Sequence, residues 1–354
     1  MAFDGILLRQ VTKQLKQLET GRISKIYLIS QYELLIHIRS YNKNYKLIIS
    51  IHPSYARIHL TSLSYPTPDF PNALTMHLRK HLEGSFIESI EQIELNRLIH
   101  CVIKGRNEFK DLKTYHIYIE IMGKHSNFIL TDDKRKIIEC LKRVSPSESR
   151  RILQPGIHYE LPPMIKKHNP YTEEYIVSDN LVQVYEGFSK ELSQEVIYRM
   201  NQGISFKEIM NTLDNSQSLY ITRTIHKDYY HIIPLTFLNC PYESYLLNEG
   251  LDIYYDDLDQ KDRIKQQTND LARYIKNEYT KNINKLNKLK KTLFDSENSD
   301  DYRIKGDLLY ASLHLIQKGM KRITVENYYD NSLLTIDLDP KLDGKANANK
   351  YYNK

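Results

Sequence analysis

The sequence predicts an α+β protein whose β-rich amino-terminal region is followed by helical segments. In two blocks, residues 23–61 and 86–144, apolar side chains recur with the period of two that is typical of β-strands. Residues 261–292 contain no Pro or Gly, and their apolar side chains recur every three or four positions, as in a long helix. Strand blocks followed by helices favour the α+β class over a parallel α/β sheet.

Composition narrows the classes of protein further. The length of 354 residues predicts two or three domains, and 41% apolar with 27% charged residues is typical of a globular protein. No run of 18 apolar residues is present, so we expect no membrane span, and residues 1–4 do not resemble a secretory signal. The odd number of Cys residues, without a Cys-x-x-Cys pair, favours a reducing, cytoplasmic environment.

The β-rich region is predicted to contain two meanders separated by a helix. A first helix can be capped by Asp4, and residues 23–61 then predict about four strands. Residues 73–82 predict a short helix that is closed by Gly84, and residues 86–144 predict the second meander. We therefore expect a domain of two sheets, a sandwich, over residues 1–172.

Residues 173–260 are predicted to form a smaller helical domain and its connection. Helical patterns flank the turn Glu186-Gly187-Phe188-Ser189, which is the outline of a helix-hairpin-helix. Such a turn can offer backbone N–H groups to a phosphate, because the first turn of a helix has unpaired donors. Two packed helices joined by an ordinary turn remain an equally good interpretation.

Residues 261–354 are predicted to form the first arm and the tip of an antiparallel coiled coil, with the second arm truncated. The helix over residues 261–292 supplies the arm. A second helix over residues 308–316 and two strands, 323–327 and 333–338, supply a small α/β tip.

Positive charge is concentrated on the predicted arm. The whole chain has a formal charge of +6, whereas residues 261–292 hold ten basic and three acidic side chains, a net +7. Such a helix is typical of a polyanion-binding surface, and a solvated coiled-coil face is the alternative. The lysines that we assign to this surface are Lys281, Lys285, Lys288, Lys290 and Lys291. A second basic stretch, residues 134–151, includes Arg143, Arg150 and Arg151.

Signatures of metal and nucleotide chemistry are not found. His77 and His81 have the spacing of a shared helix face, but the Glu that follows the first His in a zinc protease is replaced by Leu78. Phosphate-binding glycine loops and the nucleophile elbow of hydrolases are missing as well. We therefore expect no cofactor, no metal and no catalytic residue.

Several short motifs carry a family resemblance over essentially the whole chain. They are Met1-Ala2-Phe3-Asp4-Gly5, Gly21-Arg22-Ile23, Leu78-Arg79-Lys80-His81-Leu82, Met122-Gly123-Lys124-His125-Ser126-Asn127, Lys142-Arg143-Val144-Ser145, Arg150-Arg151, Leu153-Gln154-Pro155-Gly156 and Leu338-Asp339-Pro340. With these motifs the chain resembles the NFACT family. The resemblance implies an NFACT-N domain related in fold to formamidopyrimidine-DNA glycosylases, followed by helix-hairpin-helix and coiled-coil domains. Glycosylase activity is not expected, because that chemistry uses an amino-terminal Pro followed by Glu.

The resemblance also implies a function in ribosome quality control. Such factors bind a large ribosomal subunit obstructed by peptidyl-tRNA and recruit alanyl-tRNA, so that alanine is added to the stalled chain without mRNA. The ribosome forms the peptide bond, and the factor positions tRNA. Because firmicute members are often labelled fibronectin- or fibrinogen-binding proteins, a surface adhesin, with a cell-surface fraction, is the alternative function.

The family's Asp-Arg pair, which tailing requires, falls on Asn96-Arg97. Arg97 is suited to contact anticodon-loop bases, whereas Asn96 replaces a carboxylate that would orient the guanidinium through charge-assisted bonds. Lys124 and His125 lie in a turn that is either a direct RNA contact or a structural turn held by Ser126 and Asn127. With Arg143, Arg150 and Arg151, these residues form the predicted tRNA surface.

Overall fold

The computed structural model describes residues 3–106 and 111–353, except for the side chains of residues 259, 262, 263, 265–267, 270, 297 and 298. Met1 and Ala2 of the amino-terminal motif, and the side chains of Asp262, Arg263, Lys265 and Asp270 in the basic arm, therefore lie outside the description. The chain divides into two compact units, residues 1–263 and 264–354. The predicted three-domain boundaries at residues 172 and 260 stay a prediction.

The first meander follows an amino-terminal helix, as predicted. The Asp4 carboxylate caps helix α1 by accepting a hydrogen bond from the N–H of Leu7 at 2.9 Å. The elements of this part are α1 (Gly5–Leu15), a 3-10 turn (Lys16–Leu18), β1 (Arg22–Ser30), β2 (Glu33–Ser40), β3 (Lys43–Ser50), β4 (Arg57–Leu60) and α2 (Ala73–Leu82). Gly84, at φ +83°, turns the chain out of α2 at the predicted position.

The second meander contains five strands. They are β5 (Phe86–Gln92), β6 (Leu98–Arg106), β7 (Leu112–Glu120), β8 (Asn127–Thr131) and β9 (Ile137–Cys140), with a 3-10 turn (Gly123–His125) between β7 and β8. Each strand is antiparallel to the next one, as is typical of a meander.

The prediction of two separate sheets is wrong for the residues described. The two meanders join into one nine-stranded sheet in the order β4-β3-β2-β1-β5-β6-β7-β8-β9. The physical reason is backbone pairing where α2 returns the chain to β1: Ile23 N–H donates to Ser85 O at 2.9 Å, and Ile87 N–H donates to Gly21 O at 2.9 Å. Local periodicity cannot reveal this pairing, because the partners are more than 60 residues apart.

Residues 181–246 combine helices with a small sheet that the helical patterns did not predict. The helices are α3 (Leu181–Val184), α4 (Lys190–Asn201) and α5 (Phe206–Asn215), and a 3-10 turn spans Thr236–Leu238. The strands are β10 (Ser218–Arg223), β11 (Asp228–His231) and β12 (Tyr242–Leu246), in the order β11-β10-β12. Their apolar residues share one core with α1 and the large sheet, including Ile6, Phe128, Leu192 and Ile221.

Helix α6 (Leu247–Ala311) is a single helix of 65 residues. The prediction of separate helices over 261–292 and 308–316 is therefore wrong. The polar stretch 295–301 between the two predicted helices contains neither Pro nor Gly, and a solvent-exposed helix tolerates polar side chains.

Beyond α6, the second unit has a core of its own. It contains a 3-10 turn (Leu313–Leu315), the hairpin β13 (Arg322–Asn327) and β14 (Ser332–Asp337), and α7 (Gly344–Tyr352). Leu308 and Leu309 of α6 pack against Ile323 and Ile336 of the hairpin and against Ala348 of α7. Both predicted strands are confirmed. A returning coiled-coil arm stays a prediction.

Candidate nucleic-acid interface

The sheet brings most of the predicted tRNA-binding residues to one edge. Leu98 at the start of β6 pairs with Glu120 at the end of β7, and Glu120 pairs with Asn127 at the start of β8. The N–H of Leu141, after β9, donates to Phe128 O at 3.0 Å. With neighbouring strands about 4.8 Å apart, the four strand ends span about 14 Å. We call this part of the sheet, with residues 94–97, 121–127 and 141–151, the basic edge.

The turn that carries Asn96 and Arg97 is tightly packed. The Asn96 amide donates to the Glu94 carboxylate at 3.1 Å, and Glu94 adopts a left-handed conformation at φ +53°. The Gln92 amide donates at 2.9 Å both to Asn96 O and to Gly5 O, which ties the turn to α1. A Cβ on Gly5 would lie 1.8 Å from Leu95 O, so Gly5 is required for this close approach.

Arg97 lies within the electrostatic reach of Asp4. Burial lowers the pKa of the Arg97 guanidinium, and the Asp4 carboxylate opposes that shift. Asp4 also accepts hydrogen bonds from Ser189 N at 3.2 Å and from His231 Nε2 at 3.1 Å. Burial alone would raise the pKa of Asp4, but His231 and these donors lower it below its ordinary value. Asp4 was predicted only as a helix cap, because its long-range partners leave no local pattern.

The turn Glu186–Ser189 is packed against α1 rather than open. Gly187 O accepts from the N–H groups of Gly5 at 3.0 Å and of Ile6 at 3.2 Å, and Ser189 N is bonded to Asp4. Ser189 Oγ accepts from Leu192 N at 3.2 Å. The predicted offer of these donors to a phosphate therefore does not hold for Ser189 and Leu192, whose N–H groups are already paired.

The Gly-Lys-His-Ser-Asn turn contains buried side chains that stabilise it and exposed side chains that face solvent. Ser126 and Asn127 are buried; Ser126 Oγ accepts from Met122 N at 2.8 Å. The Asn127 amide donates to Lys142 O at 2.7 Å and accepts from Lys142 N at 2.9 Å, which fixes this turn beside residues 142–143. Lys124 and His125 are exposed. The structural interpretation of Ser126 and Asn127 is thus confirmed, while RNA contact by the two exposed residues stays a prediction.

The three arginines of the basic stretch have different environments. Arg143 is 62% exposed and donates to Glu139 at 3.2 and 3.3 Å. Arg150 is exposed. The Arg151 side chain is 19% exposed, and both of its terminal nitrogens bond to the Glu120 carboxylate, with Nη1 at 2.9 Å. The adjacent pair Arg150-Arg151 therefore divides into one solvent-facing and one structural side chain.

Glu120 is the centre of a buried polar cluster that the sequence did not reveal. It is 1% exposed and accepts from the Tyr159 hydroxyl at 2.8 Å as well as from Arg151. Burial would lower the pKa of Arg151, yet its bonds to Glu120 raise that pKa above its ordinary value. Burial and the Glu120 carboxylate both raise the pKa of Tyr159. Arg151 also packs on the Tyr159 ring, 5.2 Å from the centroid.

In the second unit, the predicted ribosome-binding lysines lie exposed on α6. They are Lys281, Lys285, Lys288, Lys290 and Lys291. At 3.6 residues per turn, Lys281, Lys285 and Lys288 share one face, and Lys290 points to the opposite face. With Lys276, Asn277, Thr280 and Asn284, these three lysines line a shallow surface depression along the helix. The apolar face of α6 is solvent-exposed too, with Leu286 at 48% and Leu289 at 59%.

Residues 3–106 and 111–353 contain neither a membrane-spanning helix nor a metal-binding cluster. In that part of the chain, no helix has both the length and the apolarity needed to cross a bilayer. The same residues contain no cluster of three His, Cys, Asp or Glu side chains suited to a metal ion.

Comparison with known proteins assigns the family. The model of the NFACT N-terminal and middle domains matches residues 4–354. The chain belongs to the NFACT family. It is 37% identical to the "Rqc2 homolog RqcH" of Bacillus subtilis over 379 aligned positions, which cover 100% of the chain and 66% of that relative. The NFACT chain thus spans somewhat less than two thirds of this relative's length.

The NFACT chain is also similar to a more distant relative and to a solved structure. The "Ribosome quality control complex subunit 2" of Saccharomyces cerevisiae is 28% identical over 149 residues, covering 42% of the chain and 13% of that protein. The amino-terminal structure of the fibronectin/fibrinogen-binding protein from Streptococcus suis is 34% identical, with a TM-score of 0.64, and covers 72% of the chain and all of that structure. Its likeness supports the mixed fold with one large antiparallel sheet.

Proposed function

We propose that this NFACT chain acts in ribosome quality control, binding an obstructed large ribosomal subunit that carries peptidyl-tRNA and recruiting alanyl-tRNA for alanine tailing. The observation that carries this proposal is family membership over residues 4–354, together with relatives whose names refer to Rqc2 and to the ribosome quality control complex. In this role the chain positions tRNA, and the ribosome forms the peptide bond. Its site of action is the cytoplasm.

The basic edge is the proposed tRNA contact. Lys124, His125, Arg143 and Arg150 are exposed there and are placed to contact phosphates, which attract Lys and Arg whatever the base sequence. Arg97 lies beside them and supplies a planar guanidinium suited to stacking on a base.

Asn96 and Arg151 support this surface without facing the RNA. Asn96 closes the turn through Glu94, and Arg151 anchors the segment after β9 to Glu120. The carboxylate that the family places at position 96 is replaced, and Asp4 is the carboxylate whose charge acts on Arg97. The opposing charge that acts on Arg97 therefore comes from the N-cap of α1.

The lysine face of α6 is the proposed ribosome contact. Lys281, Lys285 and Lys288 follow one face over two turns, and Lys291 lies close to it, so several phosphates of an RNA helix are within reach. Among the described side chains, Lys281 is the one of these lysines that forms an ion pair, with Glu278 at 3.3 Å.

The test is ultraviolet crosslinking of the chain to tRNA on large subunits that carry peptidyl-tRNA. We expect Arg97→Ala to reduce the tRNA crosslink strongly while subunit binding persists, because the lysine face is intact. Lys43→Ala, an exposed lysine at the start of β3, is the matched control. An unchanged tRNA crosslink for Arg97→Ala would contradict the proposal. In a separate assay, which measures C-terminal alanine on stalled chains with the full-length protein, Asn96→Asp should raise the yield of tailed chains, because a carboxylate can hold the Arg97 guanidinium through charge-assisted bonds.

A second candidate function is binding of fibronectin or fibrinogen at the cell surface. It is favoured by the names of proteins whose structures are similar, among them the fibronectin/fibrinogen-binding protein of Streptococcus suis. Measuring the fraction of native protein on intact cells against a cytoplasmic marker separates it from the first proposal.

A further inference from the structure

A buried carboxylate next to the turn of Arg97 joins three remote parts of the first unit. The Asp4 carboxylate caps α1 through Leu7 N at 2.9 Å, accepts from Ser189 N at 3.2 Å and lies 3.1 Å from His231 Nε2. The side chains of Asp4 and His231 are 5% and 1% exposed. The other two donors are backbone N–H groups, so among the described residues His231 is the one whose side chain donates to Asp4.

The contact with Asp4 fixes the protonation of the His231 ring. An ionised carboxylate only accepts hydrogen bonds, so the nitrogen that faces Asp4, Nε2, carries the proton. The other ring nitrogen, Nδ1, is buried and has no hydrogen-bond partner among the residues that the structure describes. An apolar side chain would fill this space without burying an unpaired nitrogen, which costs free energy. The bond to Asp4 therefore accounts for a histidine at this position.

Asp4 and the turn that carries Arg97 are linked through Gly5. The backbone of this turn comes so close that a Cβ on Gly5 would lie 1.8 Å from one of its carbonyl oxygens. The Gln92 amide donates to Gly5 O and to Asn96 O, both at 2.9 Å, and so ties the residue after Asp4 to the residue before Arg97. A shift of Asp4 would therefore move the turn, because close-packed groups transmit displacements.

We propose that His231 is a positioning residue of the tRNA contact, which holds Asp4 through its Nε2–H and thereby holds the turn of Arg97 in place for RNA. The inference rests on the proposed tRNA contact at the basic edge. In this role His231 does not touch RNA, because its side chain is buried.

Packing of the imidazole ring is the alternative role, and two substitutions distinguish it from hydrogen bonding. His231→Phe keeps a ring of similar size and removes the donor. His231→Gln removes the ring and keeps an N–H donor, since the side-chain nitrogen of Gln can take the position of the His Nε2. In anisotropy titrations of the 354-residue chain with labelled tRNA, we expect His231→Phe to weaken binding about fivefold and His231→Gln to bind within about twofold of the unaltered chain. The reverse order would overturn the proposal.

A double-variant cycle tests whether the effect passes through Arg97. On the Arg97→Ala background, His231→Phe should weaken binding by less than about twofold further, because the side chain that it positions is gone. Equal losses on the two backgrounds would indicate a general structural effect and would overturn the proposal. His226→Phe, at an exposed histidine in the loop before β11, is the matched control and should leave tRNA binding unchanged.

Failure of this inference and failure of the proposed function give different results. If Arg97→Ala binds tRNA as tightly as the unaltered chain, the proposed tRNA contact is wrong and the inference falls with it. If Arg97→Ala weakens binding and His231→Phe does not, the inference alone is wrong. Urea denaturation shows which variants are folded. If His231→Phe does not fold, His231→Gln decides alone, and a loss of about fivefold in its tRNA binding would overturn the proposal.

Discussion

The buried ion pair between Arg151 and Glu120 offers a sharp test of the structure, because the chain supplies its own control one residue away. Arg150 and Arg151 are adjacent and identical in type. Arg150 is exposed, whereas Arg151 is 19% exposed and bonds to a carboxylate that is 1% exposed. Arg151→Ala should therefore destabilise the first unit, and Arg150→Ala should not.

The size of the effect follows from what Arg151→Ala leaves behind. Glu120 would keep the Tyr159 hydroxyl at 2.8 Å but would lose both guanidinium bonds, leaving a buried carboxylate without a counter-charge. Breaking one side of a buried pair costs about 3–5 kcal/mol, and the partial exposure of Arg151 favours the lower limit. We expect a loss of about 3 kcal/mol, or roughly 6–12 °C in unfolding midpoint for a unit of this size.

The assay is urea denaturation followed by circular dichroism, with thermal melting in parallel. Arg150→Ala should change the free energy of unfolding by no more than about 0.5 kcal/mol. The double variant Arg151→Ala with Glu120→Gln should recover part of the loss, because no charge is then stranded. If Arg151→Ala and Arg150→Ala unfold at the same midpoint, the structural assignment of Arg151 is wrong.

The remaining predictions concern the turn, the pH dependence and the arm. Asn127→Ala should lower the free energy of unfolding, measured in urea, by about 2 kcal/mol, because it leaves the N–H and C=O groups of half-buried Lys142 without the Asn127 amide. Lys124→Ala should be neutral, and equal effects of the two variants would contradict the structural role of Asn127. Burial lowers the pKa of His100 to about 4 from an ordinary 6.5, so the unfolded chain binds the extra proton between these values. Stability should therefore fall as the pH is lowered from about 6.5 to about 4, and His100→Phe should flatten that slope; parallel slopes would refute this. For binding to large subunits, Lys285→Ala should reduce the slope of the logarithm of the binding constant against the logarithm of the salt concentration by about one, with exposed Lys43→Ala as control. A slope equal to that of the unaltered chain would exclude Lys285 from the contact.

Local patterns predicted the elements of the first unit well where each element has its own signal. The Asp4 cap, the helix Ala73–Leu82 before Gly84 and the alternating strands were all predicted, because capping, glycine turns and periodicity act within a few residues. The joining of the two meanders into one sheet was not predicted, because it depends on backbone pairing of residues 20–23 with residues 84–87. The sheet β10–β12 was missed because its strands are short and rich in tyrosine and polar residues.

The site was predictable as a set of residue types but not as an arrangement. Motifs singled out Lys124, His125 and the arginines, yet only the strand register places them at one edge. The sequence could not distinguish Arg150 from Arg151, because the Glu120 partner of Arg151 lies 31 residues away. In the same way Asp4 meets Ser189 and His231 only after folding, so its link to Arg97 has no local signal.

The central claim is that the basic edge binds tRNA, and fluorescence anisotropy with labelled tRNA tests it most directly. The unaltered 354-residue chain is compared with a double variant of the basic edge, Lys124→Glu with Arg143→Glu. The control makes the same change in net charge at two exposed lysines outside this edge, Lys25→Glu with Lys43→Glu. We predict that the variant of the basic edge binds at least about tenfold more weakly at moderate salt, with a smaller salt slope, and that the control binds almost as tightly as the unaltered chain. Equal losses for the two variants, or no loss for either, would contradict the account.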